Sequence, residues 1–159
     1  MKLENMYQEI ILDHYKRPHG KGLAEQFDAE VHHVNPTCGD EITLRVSRGA
    51  DGKIVVSYDN MGCSISQASA SIMFDQINNL DFESGEAAVE HLIAMLQRTV
   101  EADEDILGDG IALAGVAQYP ARVKCALLAW MAWKDAAIQA EADNNNESKI
   151  STESNKEQN

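Results

Sequence analysis

From Leu3 to Tyr15, apolar residues fall at Leu3, Met6, Tyr7, Ile10, Ile11 and Tyr15. This three-and-four spacing predicts a helix with one apolar face. Pro18 and Gly20 end it, because a proline disfavours helical backbone in the residue before it. His14 and His19 lie near that end and read as surface or packing histidines, since neither has a partner ligand at metal-binding spacing. The period then falls to two. Residues 28–34 carry a weak strand signal, with Val31 and Val34 beside His32 and His33. Residues 41–47 alternate cleanly, with Ile42, Leu44 and Val46 on one face and Glu41, Thr43, Arg45 and Ser47 on the other. Arg48 to Lys53, with Gly49 and the Asp51-Gly52 pair, reads as a hairpin turn into a third strand at 54–59, where Ile54, Val56 and Tyr58 share a side.

Beyond Cys63 the pattern is helical again. The small polar run Ser64 to Ser71 offers Ser64 or Ser66 as a helix cap, and Ile72, Met73, Ile77 and Leu80 continue the stripe. Another helix should follow Ser84, with Val89, Leu92, Ile93 and Leu96 on one face and His91 off it, facing solvent. The acidic run Glu101 to Asp105 reads as a solvated loop. Residues 106–119 are apolar but hold Gly108, Gly110 and Gly115, which suggests a loosely helical connection. Pro120 suits the first turn of a last helix. Cys125 falls in its early turns, and Ala126, Leu127, Trp130, Trp133, Ala137 and Ile138 form its apolar face. From Asp143 to Asn159 the chain is almost wholly polar, so a disordered tail is expected after a domain spanning 1–142.

At 159 residues and 44% apolar, the chain is long and apolar enough for one domain with one core. The net charge of −13 argues against nucleic acid, which requires clustered Lys and Arg. No apolar run approaches the roughly 20 residues of a membrane span. Nothing at the N-terminus resembles an export signal, and the three cysteines are an odd, small number. Both features point to a cytoplasmic setting rather than a disulfide framework.

Those cysteines, Cys38, Cys63 and Cys125, each sit where an element begins or ends, and none belongs to a C-x-x-C pair. With Asp40 they supply three soft thiolates and one carboxylate, a plausible four-ligand set for zinc. Gly39, between Cys38 and Asp40, permits a tight enough turn for both side chains to face one point. Singly, each cysteine also reads as a small buried hydrophobe. That reading is weaker for Cys38 and Cys63, which lie beside glycine in turn-rich stretches.

The strings N-P-x-C-G-D at 35–40, G-C-x-I-S-x-A-S-A-S from Gly62 and P-x-R-x-K-C-A-L-L-x-W from Pro120 resemble the SufU family, zinc-containing relatives of the IscU iron–sulfur scaffold proteins. The opening Y-x-E-I-I-L-D-H-Y-K-R-P-H matches as well, and the resemblance covers about residues 3–140. It implies an α+β fold, a small three-stranded antiparallel sheet packed against several helices. It implies zinc ligands at Cys38, Asp40, Cys63 and Cys125. It also implies a sulfurtransferase that takes persulfide sulfur from a pyridoxal-phosphate cysteine desulfurase of the SufS kind. Cys38 would be the acceptor, freed by zinc ligand exchange, and a SufBCD-type scaffold would lie downstream. Arg122, one turn before Cys125, is a candidate auxiliary that steadies Asp40 or the freed thiolate. Lys124 stands where IscU scaffolds carry a histidine, and the long connection between Cys63 and Cys125 is also SufU-like. A scaffold building a cluster on the same three cysteines is the alternative.

Overall fold

A computed structural model describes the backbone of residues 3–157 and the side chains of residues 5–142. The elements run α1 (Leu3–Lys16), β1 (Ala29–Asn35), β2 (Asp40–Arg48), β3 (Ile54–Met61), α2 (Ser64–Ile77), α3 (Phe82–Leu96), α4 (Glu104–Leu107), a 3-10 stretch (Gly108–Gln118) and α5 (Pro120–Glu157). The expected polar tail, residues 143–159, lies outside the described side chains.

The three strands form an antiparallel meander in the order β1-β2-β3, with Asn35 opposite Asp40 and Leu44 opposite Tyr58. Alternation puts Ile42, Leu44 and Val46 of β2 and Ile54, Val56 and Tyr58 of β3 on one buried face. Helix α5 packs across β1 and β2, and α2 lies against β3 and α5. Trp130 and Trp133 of α5 are almost wholly buried there. Each large apolar side chain removed from water contributes about 1.5–3 kcal/mol before entropy is counted. The fold is therefore the expected α+β arrangement. A helix of the required length and apolarity to cross a membrane is absent among the described residues.

Helix α1 packs outside α2 and the 3-10 stretch, with Ile11 half-buried and Met6 and Tyr15 exposed. Three local expectations change. Helix α3 starts at Phe82 rather than after Ser84, because the Asp81 carboxylate accepts the Ser84 N–H at 2.7 Å and caps it. The acidic run is only partly loop, since Asp103 caps the short α4. His91 is half-buried rather than solvent-facing. Helix α4 packs on α3 beside it, and the His91 Nε2 is buried with no hydrogen-bond partner.

Candidate metal centre

Three chain segments bring their donors to one end of the sheet. The first is the turn joining β1 and β2, where the N–H groups of Cys38 and Gly39 both donate to the Asn35 carbonyl, at 3.3 and 2.9 Å. Gly39 closes the turn at φ +72°, a conformation that glycine adopts without steric cost. Cys38 is left exposed at its tip, while Asp40, the first residue of β2, is wholly buried.

The second segment leads from β3 into α2. Cys63 itself caps α2, in place of the serines expected there: its backbone is extended and its sulfur lies 3.4 Å from the Ser66 N–H. The Cys63 N–H donates to Asp40 Oδ1 at 2.8 Å, and Asp40 Oδ2 lies 3.7 Å from the Cys63 sulfur. This approach requires Gly62. Its φ is +140°, and a Cβ there would fall 2.2 Å from Asp40 Oδ1.

The third segment is the start of α5. Cys125 is buried, with its sulfur 3.4 Å from that of Cys38 and 3.8 Å from Asn35 Nδ2. Ser69 of α2 fixes α5 immediately after it, donating to the Ala126 carbonyl at 2.6 Å and accepting Trp130 Nε1 at 2.9 Å. The small-residue start of α2 is what allows this close approach.

The donor atoms of Cys38, Asp40 and Cys125 all lie within 4.8 Å of one another, and Cys63 joins them through Asp40. This spacing suits a tetrahedral ion with bonds of about 2.0–2.3 Å. Asp40 supplies the decisive observation. It is fully buried, and among the described residues no Lys, Arg or His forms an ion pair with it. A buried carboxylate without a cation costs several kcal/mol, so the donor set fits a divalent ion. Burial pushes the Cys125 thiol well above the ordinary cysteine range, and hydrogen bonding to Asp40 and the neighbouring thiols adds to the shift. A bound divalent cation inverts that balance and favours thiolate.

Arg122 stands apart from the donors. Its guanidinium lies 5.2 Å from the Tyr119 ring centroid and borders a cleft of about 250 Å³ with Tyr7, Ile11 and Ile65. It makes no hydrogen bond or ion pair with Asp40 among the described residues. Lys124 is exposed. Asn35, Gly62 and Ser69 are the supporting residues that periodicity did not single out, although each lies within or beside a cysteine-bearing string.

Known proteins share the sequence and the fold of this chain. The NifU-like N terminal domain family model matches residues 6–126. A Bacillus subtilis (strain 168) protein named zinc-dependent sulfurtransferase SufU is 40% identical over 144 residues, covering 89% of this chain and 96% of the relative. A Streptococcus pyogenes serotype M1 protein named iron–sulfur cluster assembly scaffold protein IscU is 38% identical over 135 residues, covering 85% of this chain and 84% of the relative. A solved structure from Fervidobacterium islandicum AW-1, described as a candidate iron–sulfur cluster assembly scaffold protein for the SUF system, superposes with a TM-score of 0.76 at 34% identity, over 86% of this chain and 99% of its own.

Proposed function

The chain belongs to the NifU-like N-terminal domain family, as a member of the SufU/IscU type, and we propose that it serves iron–sulfur cluster assembly as a zinc-dependent sulfurtransferase. One observation carries this reading: three thiols of graded exposure surround a buried carboxylate that has no cationic partner among the described residues. Cys38, Asp40, Cys63 and Cys125 would hold zinc. Bound there, the ion would keep the thiols deprotonated and guarded from oxidation.

The chain's own geometry supports the reading of the remaining roles. Cys38 is the exposed thiol, at the tip of a turn hinged on Gly39, so a partner protein reaches it first. Released from the donor set when a SufS-like, pyridoxal-phosphate cysteine desulfurase docks, the Cys38 thiolate attacks the outer sulfur of that enzyme's persulfide. The desulfurase sulfur–sulfur bond breaks, its cysteine leaves as thiolate, and Cys38 becomes the persulfide. Buried Asp40 and Cys125, with half-buried Cys63, remain in place. Arg122 is an auxiliary at most to an incoming group, since it faces the neighbouring cleft. The sulfur would pass to a downstream SufBCD-type scaffold in the cytoplasm.

Similarity to a relative named IscU favours a second reading, in which the same three thiols hold an iron–sulfur cluster. Metal content separates the two. Tag-free protein should carry about one zinc per chain and lack visible absorbance; a brown, iron-containing product would favour the scaffold. Asp40→Cys tests the sulfurtransferase directly. A four-thiolate shell should resist a chelator longer while lowering desulfurase turnover. Tighter metal with undiminished turnover would end the ligand-exchange account.

A further inference from the structure

A second donor cluster lies at the other end of α2, about 18 Å from Cys63 by helical rise over the twelve residue steps to Asp75. His14, in the last turn of α1, is buried, with only 2% of its surface exposed. Its Nε2 lies 2.8 Å from Asp109 Oδ2 and its Nδ1 lies 2.7 Å from Ser71 Oγ. The carboxylate can only accept, so the proton of a neutral His14 sits on Nε2 and Nδ1 carries the lone pair. A carboxylate holding the far nitrogen of an imidazole is the usual arrangement behind a metal-binding histidine.

The Ser71 hydroxyl donates to that lone pair, a bond a cation there would replace, and His19, on the segment after α1, brings its ring centroid to 4.8 Å from that of His14. Its N–H donates to Ser71 Oγ at 2.8 Å, its carbonyl accepts the Tyr58 hydroxyl at 2.7 Å, and its Nδ1 lies 2.6 Å from Asp75 Oδ2. Gly20, at φ +71°, presses against the Phe74 ring, where a Cβ would come within 2.2 Å. The histidine is thus fixed over α2 by its backbone. Ser71 and Asp75 are one helical turn apart on α2, so Nδ1 of His14 faces the side that carries Asp75.

Ligand atoms of His14, His19 and Asp75 all lie within 4.8 Å of one another. The site is half-open, because the His19 and Asp75 side chains are 45% and 32% exposed, leaving room for water to complete a coordination shell. We propose that His14, His19 and Asp75 form a second divalent-cation site, separate from the cysteine centre, which takes a borderline transition-metal ion such as Zn2+ or Ni2+. Two imidazoles and one carboxylate are the donor set such ions prefer. The ion staples α1 and the segment after it to α2, where α1 otherwise rests on little buried apolar surface. This inference does not depend on the sulfurtransferase reading.

The test uses tag-free, full-length protein already holding its first zinc. Zn2+ titration followed by calorimetry and thermal melting should reveal a second equivalent that raises the melting temperature. NMR should show the His14 and His19 imidazole signals moving with that equivalent. His19→Ala and Asp75→Asn alter exposed positions and should each weaken it at least tenfold, whereas the control His32→Ala should not. Absence of a second equivalent would overturn the proposal, as would one whose affinity is unchanged in both His19→Ala and Asp75→Asn.

Discussion

Helix α2 has a donor cluster at each end, and the two are built on opposite terms. At the N-terminal end, the donors come from loop tips and element starts, the backbone turns on positive-φ glycines, and the buried carboxylate has no counter-charge among the described residues. At the C-terminal end, the donors are held by hydrogen bonds: both nitrogens of His14 and the Nδ1 of His19 already have partners. The first cluster lacks a cation to balance its buried carboxylate, while the second is already closed by hydrogen bonds that a cation would have to replace. On the proposed reading an ion would be part of the folded structure at the cysteine end and an optional addition at the histidine end. Only the cysteine end also leaves a reactive group, Cys38, in solvent.

The largest effect should follow metal removal at the cysteine end. Cys125→Ala, or stripping by a strong chelator, should lower the melting temperature by about 10 °C, the shift expected when a ligand present at a thousand times its Kd is lost from a domain of this size. Equal stability before and after stripping would erase the contrast between the two ends. Gly62→Ala comes next. Its Cβ would collide with Asp40 Oδ1 at 2.2 Å on backbone at φ +140°, so it should cost about 2–4 kcal/mol and release metal in the same melt. A Gly62→Ala protein of parental stability that keeps its zinc would show that Asp40 is not positioned by this contact.

Ser71→Ala probes the other end. The Ser71 hydroxyl serves both His14 Nδ1 and the His19 N–H, so its loss should cost about 1–3 kcal/mol without altering zinc in the cysteine site. A coupled loss of that zinc would mean the two clusters are not separate.

The smallest effect lies away from both clusters, where Asp135 of α5 meets His33 of β1 at 2.8 Å. Hydrogen bonding to His33 holds the Asp135 carboxyl below its ordinary range. A depressed folded pKa stabilises above the unfolded value and loses that contribution as pH falls through the folded one. Asp135 is nearly half exposed, so the pair should contribute below about 1 kcal/mol. Denaturant titrations of the parent and Asp135→Asn should differ at neutral pH and converge in acid. A gap that persists in acid would place the effect elsewhere.

Periodicity made much of this molecule legible. Strands β2 and β3 alternate because one face is buried, and α5 announces itself through Pro120 and its tryptophans. Donor chemistry groups Cys38, Asp40, Cys63 and Cys125 from the sequence, because two of the three thiols, Cys38 and Cys63, lie beside glycine in turns where they have little core role. Contacts formed only by tertiary packing were not legible. His14 and His19 lacked a ligand at helical spacing; their partners, Ser71, Asp75 and Asp109, lie far along the chain. His91 was misplaced because α4, which covers it, hid within an acidic run. Cys63 as a helix cap was missed because serine is the commoner cap and two serines follow it.

The central claim is that the exposed thiol of the cysteine cluster takes the sulfur. Zinc-loaded protein should be incubated with a cysteine desulfurase and its cysteine substrate, alkylated under non-reducing conditions, digested and read by mass spectrometry. The account predicts a trapped persulfide on Cys38 and none on Cys63 or Cys125. Sulfur on either of those two, or full stimulation of the desulfurase with no sulfur on Cys38, would contradict it.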